Sequence, residues 1–183
     1  MAIVGVCAFV FCGCDSTKSK IATSINNLKQ IGCALERDDV LPNGVLKDSS
    51  DTTKDPAAVF NFLKNEGLVS ADMLISPFDS KSTPADSTVT AANVSYVYIY
   101  CPTGNAYSSE LPMVFEKPWL LPEGLDLINV CYADGHTRTE GIQGVSEMSC
   151  RQVLEILLKD VKDLSEDQKK VMFSYADLAD QSR

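Results

Sequence analysis

The chain has 183 residues, 45% of them hydrophobic and 22% charged, which is enough for one core of ordinary size and too few for two well-filled domains. A formal net charge of -9 argues against nucleic-acid binding, because neutralising phosphates takes clustered Lys and Arg, and here the lysines stand singly or as Lys169-Lys170 among acids. An acidic surface of this kind points to solubility, with a cation-binding patch as the lesser reading.

Ile3 to Cys12 (IVGVCAFVFC) is an uncharged apolar run. It is too short to span a hydrocarbon core of about 30 Å and suits the apolar centre of a signal peptide. It ends in Phe11-Cys12-Gly13-Cys14, followed by Asp15, which resembles a bacterial lipobox. The resemblance implies cleavage before Cys14 and a diacylglyceryl group on its sulfur. Phe11 and Cys12 depart from the usual Leu and small residue, and no Lys or Arg precedes the run. The alternative for Cys14 is a buried or disulfide-bonded thiol after a plain signal peptide. Residues 1–14 are thus expected to be an address, 15–145 the folded head, and 146–183 a helical extension.

After the address, Ile21, Ile25, Leu28, Gly32 and Leu35 recur at steps of four and three and predict an amphipathic helix over Ser19–Leu35. Leu41-Pro42-Asn43-Gly44 is turn chemistry, and Lys47 to Lys54 reads as a polar loop. Asp55-Pro56 predicts an N-cap and first position for a short helix through Val59, Phe60, Phe62 and Leu63, ending at Gly67. Pro77 to Ala92 is rich in Ser, Thr, Pro and Asp and predicts a long exposed loop, either mobile or held by something bound.

Ser95–Tyr100, Pro112–Glu116 and Leu125–Ala133 are enriched in β-branched and aromatic residues, and Asp134-Gly135 predicts a type I′ turn into His136–Thr139. Together they predict a small antiparallel sheet. Ser149 with Gln152 and Ser165 with Gln168 have capping-box spacing and predict two final helices. Val153, Leu154, Leu157, Leu158 and Val161 stripe the first, and Val171, Tyr175 and Leu178 the second. Stripes of this kind indicate core or partner packing.

If Cys7 and Cys12 leave with the signal and Cys14 carries lipid, Cys33, Cys101, Cys131 and Cys150 remain, an even number in an oxidising compartment. Two disulfides in any of three pairings are one reading, and buried small hydrophobes the other. No pair has C-x-x-C spacing, so a zinc knuckle or thioredoxin-like site is not indicated.

Asn26 to Ala34 (NNLKQIGCA), Leu74 to Ser80 (LISPFDS), Val114 to Pro118 (VFEKP) and Ile128 to His136 (INVCYADGH) occur in an order that resembles the pseudopilin-like proteins with prepilin-type N-termini of planctomycetes, verrucomicrobia and their relatives. The resemblance implies a pilin-like α+β fold, with an N-terminal helix packed on a small antiparallel sheet, to which this chain adds two C-terminal helices. Ser76 stands where that family usually has Cys, and Gly124 where it has His. The basic leader, Gly-Phe processing site and early Glu of pilins are not found before Asp15.

The candidate chemistry is sparse. His136 beside Asp134 invites an acid–base reading, but no nucleophile has a motif context, and no enzyme activity is expected. Calcium is the one cofactor left open, because major pseudopilins hold loops with it and Asp79, Asp86, Asp126 and Asp134 lie near loops and hairpin; no EF-hand spacing supplies the ligands. Tyr96, Tyr98 and Tyr100 alternate along one strand and form either a stacking platform for a sugar or peptide or a packed aromatic face. Trp119, bracketed by Pro118 and Pro122, is either a partner contact or a plug under the core.

Two functions fit. One is a structural or assembly component of an envelope or secretion apparatus, exported and exposed on the periplasmic or outer side of a membrane. The other is a lipid-anchored lipoprotein that uses the head to bind a ligand or protein, through the tyrosine strand or the Pro77–Ala92 loop.

Overall fold

The computed structural model describes residues 13–36, 56–100, 109–162 and 164–183. The apolar run 3–12, the side chain of Cys14, the turn at 41–44, the loop 47–54, Asp55 and Cys101 lie outside them. Among the described residues the chain is α+β, with four α-helices and one open antiparallel sheet of four strands.

Helix α1 (Gly13–Leu35) starts earlier than the Ser19 predicted and buries Leu28, Gly32 and Leu35 of the expected face, with Ile21 and Ile25 half-buried and Ile31, outside the predicted stripe, also in the core. It lies on strands β2 (Pro112–Glu116), β3 (Leu127–Tyr132) and β4 (Thr137–Gly141). Gly32 allows the closest approach, since a Cβ there would stand 2.5 Å from Cys131 Sγ on β3.

Helix α2 (Pro56–Asn65) buries Val59, Phe60 and Leu63. It ends as predicted at Gly67, whose φ of 68° is left-handed. Gly67 N–H donates to the Lys64 carbonyl at 3.0 Å and Leu68 N–H to the Leu63 carbonyl at 2.9 Å, so two of the helix's last carbonyls gain donors. Helices α2 and α4 (Glu166–Asp180) both meet strand β1 (Tyr96–Tyr98), and α4 packs against α3 (Cys150–Leu157).

The sheet order is β1-β2-β3-β4, with Val97 opposite Phe115, Phe115 opposite Val130 and Val130 opposite Arg138. Every residue of β1 and β2 is buried, whereas β4 is half-buried or exposed throughout. The chain therefore covers both sides of the first half of the sheet and leaves its last strand at the surface.

Two expectations need correction, and a third is narrowed. The β3–β4 connection is a three-residue loop and not a two-residue type I′ turn. Gly135 N–H donates to the Tyr132 carbonyl at 2.9 Å and Tyr132 N–H to the His136 carbonyl at 2.9 Å, which puts Ala133 and Asp134 at the turn and Gly135, at φ 80°, in the position after it.

The 77–92 segment is mostly exposed, as expected, but it is anchored by buried Phe78, Asp79, Ala85 and Val89 and needs nothing bound to hold it. Its polar groups are held by the chain itself: Asn61 Oδ1 accepts from Val89 N–H at 3.0 Å, Lys64 Nζ donates to the Ser87 carbonyl, and Ser82 Oγ donates to the Ala92 carbonyl at 3.1 Å. Helix α4 buries Met172, Tyr175, Ala176 and Ala179, and leaves Val171 and Leu178 at the edge of the core. The small alanines let it sit close, so side-chain size misplaced the stripe by one residue.

Both predicted capping boxes form. Ser149 and Ser165 each accept from the N–H of the glutamine three residues on, and each glutamine accepts from the serine's own N–H.

Candidate functional site

Charged residues inside a core are the informative ones, because removing a charge from water is costly unless it is paired or hydrogen-bonded. Two adjacent residues at the end of β2 meet that description, Glu116 at 1% exposure and Lys117 at 4%.

Glu116 is the centre of a polar network inside the head. Its Oε1 accepts from Ser24 Oγ at 2.5 Å and Ser76 Oγ at 3.0 Å, and its Oε2 accepts from the Asn129 N–H at 3.0 Å. The Tyr96 hydroxyl lies 3.4 Å from Ser24 Oγ and accepts from Asn27 Nδ2 at 3.3 Å. Asn129 Oδ1 accepts in turn from Thr139 Oγ1 at 2.7 Å. Burial pushes the Glu116 carboxyl above its ordinary range, against the three donors that favour its charged form. The network joins α1, the segment before the 77–92 stretch and all four strands.

Lys117 turns the other way. Its Nζ donates to the Ala91 carbonyl at 2.5 Å and lies 5.8 Å from the Trp119 ring centre. Burial lowers its pKa, with Cys150 and Asp79 acting the opposite way. Among the described residues no carboxylate reaches it at ion-pair distance. Asp79, the acid nearest in this region, is already committed: it accepts from Ser95 Oγ at 2.7 Å and from the N–H groups of Lys81 and Ser82, both at 2.9 Å. Burial works to raise its pKa, but these hydrogen bonds hold it below the usual carboxylate value.

Lys117, Asp79 and Trp119 line a groove of about 270 Å³ between the 77–92 segment, the short turn Pro118–Leu120 and the last two residues of the chain. The guanidinium of Arg183 lies 6.0 Å from the Trp119 ring centre, and exposed Lys81 stands on the rim. Trp119 is half-buried and packs against the core from its edge.

The tyrosine strand is no stacking platform. Tyr96 and Tyr98 are 1% and 0% exposed. Tyr98 meets the Tyr175 ring edge-on at 6.1 Å, and Tyr100 meets it at 6.0 Å. A sheet covered by α1 and α4 leaves these rings no open face, which corrects the binding expectation in favour of packing.

Of the calcium candidates, the carboxylates of Asp79, Asp126 and Asp134 are engaged in separate places. Asp126 Oδ1 accepts from Gly144 N–H at 2.7 Å, closing the loop before the 3-10 turn Val145–Glu147, and Asp86 is exposed with its carbonyl on Lys64 Nζ at 3.3 Å. Asp134 Oδ1 accepts from His136 N–H and lies 2.5 Å from His136 Nδ1. Among the described residues no three His, Cys, Asp or Glu side chains gather to hold a metal ion. His136 stacks on Tyr132 at 4.6 Å, so this pair packs along the hairpin.

Cys33, Cys131 and Cys150 are free thiols, Cys33 exposed on α1 and the other two buried in different elements. No disulfide joins these three, so of the two readings the described structure carries the buried small hydrophobe for Cys131 and Cys150. Burial pushes the Cys131 thiol up to about 12 and Cys150 higher still, which leaves neither as a nucleophile. No described helix is long and apolar enough to cross a membrane.

The sequence reading missed Ser24, Glu116 and Lys117 as polar centres. A signal existed for each: Ser24 interrupts the apolar stripe between Ile21 and Leu28, and Glu116-Lys117 sits inside the apolar run from Met113 to Leu121. Comparison with protein-family models, curated proteins and solved structures yields no match of any of the three kinds.

Proposed function

We propose that this chain is a non-catalytic envelope protein: a pilin-like head that serves as a structural or assembly component on the periplasmic or outer side of a membrane, tethered there through lipid on Cys14. The observation that carries this reading is the convergence at Glu116. The four segments that resemble the pseudopilin-like family contribute Asn27, Ser76, Glu116 and Asn129 to one connected set of hydrogen bonds beneath α1. A helix pinned in this way to an antiparallel sheet is the arrangement the resemblance implies. Its partners are the membrane, through the lipid, and other envelope or secretion-apparatus proteins.

The second reading, a lipid-anchored binding module, is favoured by the Trp119 groove and the lysine buried in its wall. The two readings are compatible, since a tethered head can also hold a ligand.

The test is intact and peptide mass spectrometry of the N-terminus, on protein purified from membranes of the native host. A diacylglyceryl group on Cys14 supports the tethered head. An N-methylated, longer apolar helix moves the chain into a filament. An unmodified N-terminus on a protein recovered from the soluble fraction overturns the membrane-tethered reading.

A further inference from the structure

The Trp119 groove reverses the charge character of the molecule. The chain as a whole carries a formal charge of -9, yet the groove is lined by Lys81, Lys117 and Arg183, with Asp79 as its one acid. Asp79 brings little to an incoming cation, because Ser95, Lys81 and Ser82 already fill its oxygens. The cationic side is less satisfied. An ammonium has three donors, and the Ala91 carbonyl takes one of those on Lys117. Lys117, at 4% exposure and anchored on Ala91, thus holds an ammonium on the groove wall with donors left for an anion.

The remaining walls are apolar. Trp119, Leu120 and Phe78 face the same space, whose volume of about 270 Å³ is below that of pockets for drug-sized ligands. Such a space suits a molecule of amino-acid or monosaccharide size. The walls also have internal support, since Asp79 fixes the start of the 77–92 segment and Lys117 its end at Ala91.

We propose that this groove binds a small organic carboxylate, its anionic group meeting the Lys117 ammonium and its apolar body lying against Trp119 and Leu120. The proposal deepens the binding-module reading and is independent of the anchor at Cys14, so each can fail without the other. Lys81 and Arg183 at the rim steer the anion inward, and Lys117 supplies the contact that discriminates acid from neutral analogue.

Trp119 is the only tryptophan in the sequence, so its emission reports this groove alone. The experiment titrates the full chain with sodium glucuronate, benzoate and inorganic phosphate, and with glucose and benzamide as neutral counterparts. At least one carboxylate is expected to change the emission saturably and to bind at least about tenfold tighter than its neutral counterpart. Lys117→Met, checked for native circular dichroism, is expected to erase that preference. Lys81→Ala, on the exposed rim, keeps the fold independent of the buried site and is expected to weaken the carboxylate a few-fold, less so at high salt. The proposal is overturned if no carboxylate gives a saturable change, if acid and neutral analogues behave alike, if phosphate alone binds, or if both variants bind as the parent does.

Discussion

Ser76 Oγ donates to Glu116 Oε1 at 3.0 Å, and the same oxygen accepts from Ser24 Oγ at 2.5 Å, so one carboxylate ties a loop and the first helix to the second strand. Contacts this far apart in sequence can hold only when the head is closed, and they make Glu116 a keystone of the tertiary fold, with no catalytic part in it. Replacing it by Ala leaves two hydroxyls and the Asn129 N–H buried without their acceptor. With about 1–3 kcal/mol for each buried group left unsatisfied, Glu116→Ala is expected to lose at least about 3 kcal/mol in urea unfolding. Glu116→Gln keeps an acceptor for Asn129 and is expected to lose clearly less. Equal losses in the two variants would mean that volume, and not the network, is what matters at this position.

The same carboxyl gives the head an unusual pH response. Burial raises the Glu116 carboxyl above its ordinary range, so between the unfolded and folded values the folded state keeps a proton that the unfolded chain has released. Its contribution is fully present below about 4.5 and is lost as pH rises through the folded value. Asp79 has the opposite sign. Its hydrogen bonds hold its folded pKa below the usual carboxylate value, so its contribution is present above the unfolded value and is lost as pH falls through the folded one. Stability is therefore expected to fall with acid below about 4 and to decline again as pH rises past the ordinary glutamate range. Thermal unfolding across pH 3 to about 8 reads this, and Glu116→Gln should flatten the upper decline while leaving the acid limb. An unchanged upper limb in that variant would assign the slope to another group.

Gly32 and Cys131 form a second pair whose sizes are matched. Alanine at an exposed helix position is worth up to about 1 kcal/mol over glycine, but here its Cβ would meet Cys131 Sγ at 2.5 Å. Gly32→Ala is expected to destabilise by about 1–3 kcal/mol, the usual effect of overpacking. In a Cys131→Ala background the sulfur is gone, and the same change should become neutral or stabilising. Additive effects in the double-mutant cycle would argue against a direct clash.

These pairs show where the sequence was readable and where it was not. Capping at Ser149 and Ser165, the stop at Gly67 and the strand Pro112–Glu116 were legible because each depends on residues within a few positions of one another. The packing of Tyr96 and Tyr98 was not. Alternation tells that the rings share a face, and only the tertiary placement of α1 and Tyr175 decides whether that face meets protein or solvent. The groove was half legible: Trp119 and the 77–92 segment were singled out, but Lys117 was hidden, since a lysine in sequence normally signals surface. Its burial follows from Ala91 and Trp119, and the first of these is far along the chain.

The C-terminal helices are expected to be part of the head and not an appendage. Asp180, the last residue of α4, accepts from the Cys150 N–H at 2.7 Å and the Arg151 N–H at 3.2 Å, while the Ser149 hydroxyl takes the Gln152 N–H. Between them they satisfy the first donors of α3, and a carboxylate at a helix start is also favoured by the helix dipole. Arg151 Nη1 reaches Asp177 Oδ2 at 2.7 Å, but both side chains are well exposed, so this pair adds little. Asp180→Ala is expected to cost about 1–2 kcal/mol, in the range of a lost cap. Removing the segment from Ser165 onward should cost far more, because it uncovers Tyr98 and leaves α3 without its main neighbour. Limited proteolysis followed by unfolding of the trimmed head measures this. A trimmed head as stable as the parent would show that α3 and α4 are docked loosely and that the fold is complete without them.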